Sequence, residues 1–99
     1  AREKAALTMP ITFSSRAAND LDALIRWYQE VAPHALPRVL DDINNRIDLL
    51  ALHPHAGAES SNGKFRYIST RRYHFKLCYR IEHDRIRIIG IFRYQNREF

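Results

Sequence analysis

Apolar and polar positions follow one period in the first half of the chain and another in the second. Leu7 to Phe13 alternate loosely and end at Ser14 and Ser15. Their hydroxyls are suited to accept from the free N–H groups of a helix start, so a short strand leading into a helix is predicted. From Ala17 the apolar positions are Ala17, Leu21, Leu24, Ile25 and Tyr28, the three-and-four spacing of one helical stripe. Asp20 and Asp22 stand near its N-terminal end, where the helix dipole favours acidic groups. Pro33 predicts a stop near Val31. A second stripe runs through Leu36, Val39, Leu40, Ile43, Ile47 and Leu50, with Pro37 in the first turn, where a missing N–H costs nothing. It ends at His53 and Pro54. Two such helices joined by about five residues form an antiparallel hairpin with one apolar side to cover.

Pro54 to Gly63 (PHAGAESSNG) has turn composition and reads as a loop. Beyond it the period becomes two. Phe65 and Tyr67 oppose Arg66; then Tyr73, Phe75, Leu77, Tyr79 and Ile81 alternate with His74, Lys76, Cys78 and Arg80, with Arg71 and Arg72 at the bend. An acidic turn, Glu82 to Asp84, leads into RIRIIGIF, which alternates to Ile88 and is then apolar on both faces through Phe92, as a central strand is. Gly90 in that run predicts a bend or a close backbone approach. The fold class is α+β, ordered β-α-α-β-β-β: an N-terminal strand and a helical hairpin packed on one face of a small, mostly antiparallel sheet.

The chain has 99 residues, which is one domain's length and leaves no room for a second. We assign residues 10–99 to that domain and residues 1–9 to an N-terminal extension or an expression-derived segment. Met9 is the single methionine and stands immediately before PITFSS, so the natural chain is expected to start there. No stretch approaches the 18 or more apolar residues of a membrane span, and a cytoplasmic protein is expected. A lone cysteine, Cys78, is compatible with a reducing compartment. The charge distribution changes this picture more than the composition does. The net charge is +5, but residues 1–63 sum to −2 and residues 64–99 to +7. A basic C-terminal third implies an anionic partner: nucleic acid, a nucleoprotein or an acidic protein segment.

Few enzyme classes remain. Three scattered glycines make no phosphate-cradling loop, and no Ser/His/Asp or Cys/His constellation has a recognisable spacing. His53 and His55 lack a third ligand for a metal, and Cys78 reads as a small buried thiol; no metal or cofactor is expected. The basic strands with their aromatics hold the candidate chemistry: Arg66, Arg71, Arg72, His74, Lys76, Arg93, Tyr94 and Arg97. Cleaving RNA at the 2′-OH takes a base, an acid and cations for the phosphate. Binding phosphate takes only the cations.

Ala17 to Leu21 (Ala-x-x-Asp-Leu), Leu50 to Gly57 (Leu-x-x-x-Pro-x-x-Gly), Gly63 to Arg66 (Gly-x-x-Arg) and Tyr79 to Ile81 (Tyr-Arg-Ile) together resemble the ParE/RelE superfamily of toxins from bacterial type II toxin–antitoxin modules, over about residues 10 to 97. The resemblance implies the same fold as the periodicity. It also implies a cytoplasmic toxin silenced in a hetero-oligomer by a cognate antitoxin, whose acidic or amphipathic segment covers the helices and sheet. RelE-like members cleave mRNA on the ribosome; ParE-like members poison DNA gyrase. The proline-bearing corner between the helices and the Pro-x-x-Gly exit are more similar to the ParE-like branch. A gyrase inhibitor without catalytic residues is therefore expected, with Arg66, Arg71, Arg72, Lys76, Arg93 and Arg97 binding target or antitoxin. The alternative is a RelE-like ribosome-dependent mRNA endonuclease with Arg66, Lys76, Tyr94 and Arg97 in the cleft.

Overall fold

The computed structural model describes residues 8–93. The elements run β1 (Ile11–Phe13), α1 (Ser15–Val31), a 3-10 turn (Pro33–Ala35), α2 (Leu36–Leu52), β2 (Ala58–Glu59), β3 (Arg66–Ser69), β4 (Phe75–Ile81) and β5 (Ile86–Arg93). The sheet order is β1-β5-β4-β3-β2. All neighbours are antiparallel except β1, which lies parallel to β5. The helical hairpin is part of the long crossover that a parallel pair needs. β2 is one strand more than the periodicity predicts. It is a two-residue edge strand inside the expected loop, with both residues exposed, so it carries no apolar alternation to read.

Ser14 starts α1 and ties it to the sheet at the same point. Its Oγ accepts from the Ala17 N–H at 3.0 Å and donates to the Ile89 carbonyl at 2.9 Å. Asp20, which the dipole argument places at the helix start, serves the sheet instead: its Oδ2 accepts from the Ile91 N–H at 3.0 Å. The helix thus closes part of the β5 edge that three-residue β1 leaves uncovered. α1 ends at Val31, where the Ala32 N–H bonds back to the Tyr28 carbonyl before Pro33.

The core lies between the helices and one sheet face. Ala17, Val39, Leu50, Leu77, Tyr79, Ile86 and Ile88 are fully buried, and each large one contributes about 1.5–3 kcal/mol. Ile86 and Ile88 share a parity, but the next core residue of β5 is Ile91. The register explains the shift: Tyr79 faces Ile88 and Cys78 faces Gly90, so Ile89 is skipped. One extra residue moves the inward positions by one, and a bulge accounts for the two-sided apolar run. A Cβ on Gly90 would stand 2.8 Å from the Phe92 ring, the close approach that the glycine suggests. β3 departs from its predicted facing. Arg66 pairs with Tyr79 and Ile68 with Leu77 on the helix side, while Tyr67 pairs with Cys78 on the opposite face.

Candidate functional site

Two buried polar anchors shape everything around the candidate residues. The first is Asp42 on α2, 6% exposed. Its carboxylate accepts from the backbone N–H groups of Arg71 (3.2 Å), Arg72 (3.1 Å) and Tyr73 (2.7 Å) and from the Thr70 hydroxyl. Burial alone raises its pKa, but the hydrogen bonds from Tyr73, Thr70, Arg72 and Arg71 outweigh it and hold the carboxyl below its ordinary range. Thr70 Oγ1 accepts from the Phe75 N–H at 2.9 Å, and His74 takes a left-handed φ of 59°, closing the turn into β4. The turn that presents Arg71 and Arg72 is therefore clamped to α2, with both side chains left exposed.

The second anchor is Tyr79, fully buried. Its hydroxyl donates to the Pro54 carbonyl at 2.7 Å and accepts from the Gly57 N–H at 2.9 Å. Burial pushes this phenol up, against the lowering influence of the Gly57 N–H and of Arg66. A Cβ on Gly57 would lie 2.7 Å from the Tyr67 carbonyl oxygen and from the Tyr79 ring. The Pro-x-x-Gly exit of α2 and the Tyr-Arg-Ile strand end are two halves of one lock. Arg66 belongs to it as well: its Nη1 donates to the Gly57 carbonyl at 2.7 Å and the His55 carbonyl at 3.3 Å, and its Nη2 lies 4.0 Å from Glu59.

The sheet face opposite the helices is cationic. Lys76 and Arg80 of β4 and Arg87 of β5 stand on it with Tyr67, Cys78 and Phe92. Lys76 Nζ lies 5.1 Å from the Tyr67 ring centroid, Arg80 lies over Phe65 at 5.8 Å, and Arg16 reaches over Phe92 at 5.0 Å. Arg80 and Arg87 are directly cross-strand, an unfavourable juxtaposition of like charges. Glu82 offsets Arg80 in part, at 3.4 Å. Burial raises the Cys78 thiol, against lowering contributions from the Tyr67 hydroxyl, Arg16, Arg80 and Lys76. The raised pKa leaves it a protonated packing group at neutral pH.

A separate open groove of about 750 Å³ runs between α2 and the β3–β4 turn, lined by Arg38, Asp41, Asn45, Arg46, Arg71 and Arg72 among others. Arg46 Nε donates to the Ser69 carbonyl at 2.9 Å. Among the described residues, no ion pair engages Arg38, Arg71 or Arg72.

The predicted residues thus divide. Arg71 and Arg72 meet in the groove, Lys76 stands on the sheet face opposite the helices, and Arg66 is engaged at the lock on the helix side. Arg93 stacks over Trp27 at 4.3 Å, at the far end of β5. Tyr94 and Arg97 lie outside the described residues. Arg80 and Arg87 lie in the basic segment but carry no predicted role, and neither do Arg16, Arg38 and Arg46. The signals existed: Arg80 and Arg87 alternate with core residues as Lys76 does, and Arg38, Asn45, Arg46 and Leu49 share a helix face.

A family model described as the ParE toxin of the type II toxin–antitoxin system, parDE, matches residues 11–98. A curated relative, Toxin RelE3 of Caulobacter vibrioides (strain ATCC 19089 / CIP 103742 / CB 15), is 34% identical over 82 residues, spanning 82% of this chain and 89% of its own length. The solved structure of the chromosomal ParDE TA system from P. aeruginosa superposes with a TM-score of 0.74 at 25% identity, covering 89% of this chain and 98% of that one.

Proposed function

The chain belongs to the ParE/RelE-like superfamily of type II toxin–antitoxin toxins, and from that premise we propose that it is a ParE-like toxin that inhibits DNA gyrase and is neutralised by its cognate antitoxin. What carries the reading is the separation of Arg66 from Lys76, the two described residues of the four that the RNA-cleaving alternative names. Arg66 and Lys76 stand on opposite sheet faces, and the Arg66 guanidinium is engaged with the Gly57 and His55 carbonyls. Acid–base cleavage requires its groups at one phosphodiester. An inhibitor needs only a charged surface of fixed shape, and the clamped turn and cationic sheet face supply one. The family model and the ParDE likeness point the same way.

Antitoxin binding is supported by the surface of the helices. Trp27 is 40% exposed, Val31 58% and Leu52 47%, apolar area that suits an amphipathic segment. No described helix is long and apolar enough to cross a membrane.

The test is a gyrase supercoiling assay with purified toxin, scored for lost supercoiling and for accumulated cleaved DNA, with the antitoxin-bound toxin as control. Trapped cleavage reversed by antitoxin is the expected result. The second reading, mRNA cleavage on the ribosome, is favoured by the gathering of Lys76, Arg80 and Arg87 around Tyr67 and by the likeness to Toxin RelE3. An inert gyrase assay combined with ribosome-dependent mRNA cleavage, lost in Lys76→Ala, would replace the first reading by the second.

A further inference from the structure

We propose that the groove between α2 and the β3–β4 turn is a docking site for the phosphodiester backbone of DNA, with Arg38, Arg46, Arg71 and Arg72 as its phosphate contacts. The proposal rests on the gyrase–DNA reading for its biological setting, but the binding itself is measured without gyrase.

Four guanidinium groups line one groove from two rigid elements. Arg71 and Arg72 extend from a turn whose backbone the Asp42 carboxylate holds, and Arg46 is oriented by its bond to the Ser69 carbonyl. The Asp42 charge is consumed by four donors, so Asp41 is the one lining carboxylate that opposes an incoming anion.

The lining also discriminates between partners. Protein–protein interface cores are depleted in charge and rich in aromatic and Met anchors. Here six of the eight lining residues are charged and Leu49 is the single apolar one. Such a surface gains its affinity from counterion release, the regime of nucleic-acid backbones. From Arg38 to Leu49 the α2 wall is about 16 Å long at 1.5 Å per residue. At 3.4 Å of axial rise per phosphate, that length covers about four or five phosphate levels of a duplex, of which a straight wall faces the part that the winding strand turns toward it.

The experiment is fluorescence anisotropy of a labelled short DNA duplex titrated with the whole toxin at several salt concentrations. In Arg38→Gln/Arg71→Gln/Arg72→Gln, affinity is expected to fall by about tenfold or more, and the slope of log K against log salt to shrink by about three. The Asp42 clamp uses backbone N–H groups, which glutamine keeps, and an unchanged thermal melt verifies the fold. The corresponding Arg→Lys triple retains the charge and is expected to keep the slope, while Arg26→Gln, which removes a cation of α1 paired with Asp22 at 3.3 Å and outside the groove, leaves it unaltered. Wild-type affinity and slope in the glutamine triple overturn the proposal. So does a poly-glutamate of equal charge binding the groove more tightly than the duplex, which would make it an acidic-protein site. A failed gyrase assay with groove-dependent duplex binding intact refutes the gyrase reading alone.

Discussion

Asp42 and Tyr79 solve one problem with different physics. Each ties the α2 side of the molecule to the sheet through a buried polar group with no unsatisfied side-chain atom nearby. Asp42 does so as an anion among donors, holding the turn before β4. Tyr79 does so as a neutral phenol, one bond donated and one accepted, holding the α2 exit. The anionic anchor concentrates more energy in one residue and ties it to acid. The neutral anchor spreads its energy over a ring, a glycine and an arginine, and is vulnerable chiefly to shape.

The largest expected effect is at the anion. Asp42→Ala leaves three backbone N–H groups and the Thr70 hydroxyl without their acceptor and should lower stability by about 3 kcal/mol or more, read as a denaturant midpoint. A loss below about 1 kcal/mol would mean that the turn is held by its own backbone. At the neutral anchor the largest effect is steric: Gly57→Ala forces a Cβ into the Tyr67 carbonyl and the Tyr79 ring, at about 2–3 kcal/mol. Tyr79→Phe keeps the packing but orphans the Gly57 N–H and the Pro54 carbonyl, about 1–2 kcal/mol. If it cost as much as Gly57→Ala, hydrogen bonding rather than shape would govern the lock.

The two anchors also separate along pH. The Asp42 carboxyl is lower in the folded state, so its stabilisation is complete above the unfolded value of about 4 and is lost as pH falls through the folded one. Tyr79 is raised, so its share is complete below the unfolded value of about 10 and is lost as pH climbs through the folded one. Thermal melts across pH should show an acid limb flattened in Asp42→Asn and an alkaline limb flattened in Tyr79→Phe. The smallest effect lies outside both anchors. Arg87→Gln removes one of two directly opposed cations and should change stability by no more than about 0.5 kcal/mol, in the stabilising direction.

The elements were legible because their periods are strong. Val39, Ile43, Ile47 and Leu50 define a helix stripe without help from the rest of the chain, and Phe75, Leu77, Tyr79 and Ile81 define a strand. β2 was not legible, since an exposed two-residue strand is set by its neighbour. The facing of Tyr67 was not legible either: Phe65, Tyr67 and Ile68 carry apolar positions of both parities, and only pairing with Cys78 and Leu77 decides which points inward.

For the site, the sequence by itself determined the charge asymmetry, the family resemblance and the basic strands, because charge and period are local properties of the chain. It also held both halves of the Tyr79 lock as separate motifs. What the tertiary structure alone decided is which cations share a surface. Arg66 and Lys76 are ten positions apart in one basic segment, yet pairing places them on opposite sheet faces. Arg38 and Arg71 are far apart in the chain, yet they line one groove because Asp42 draws the turn onto α2. Such convergence depends on contacts between distant residues, and it is these contacts, rather than any local pattern, that make four of the arginines one surface.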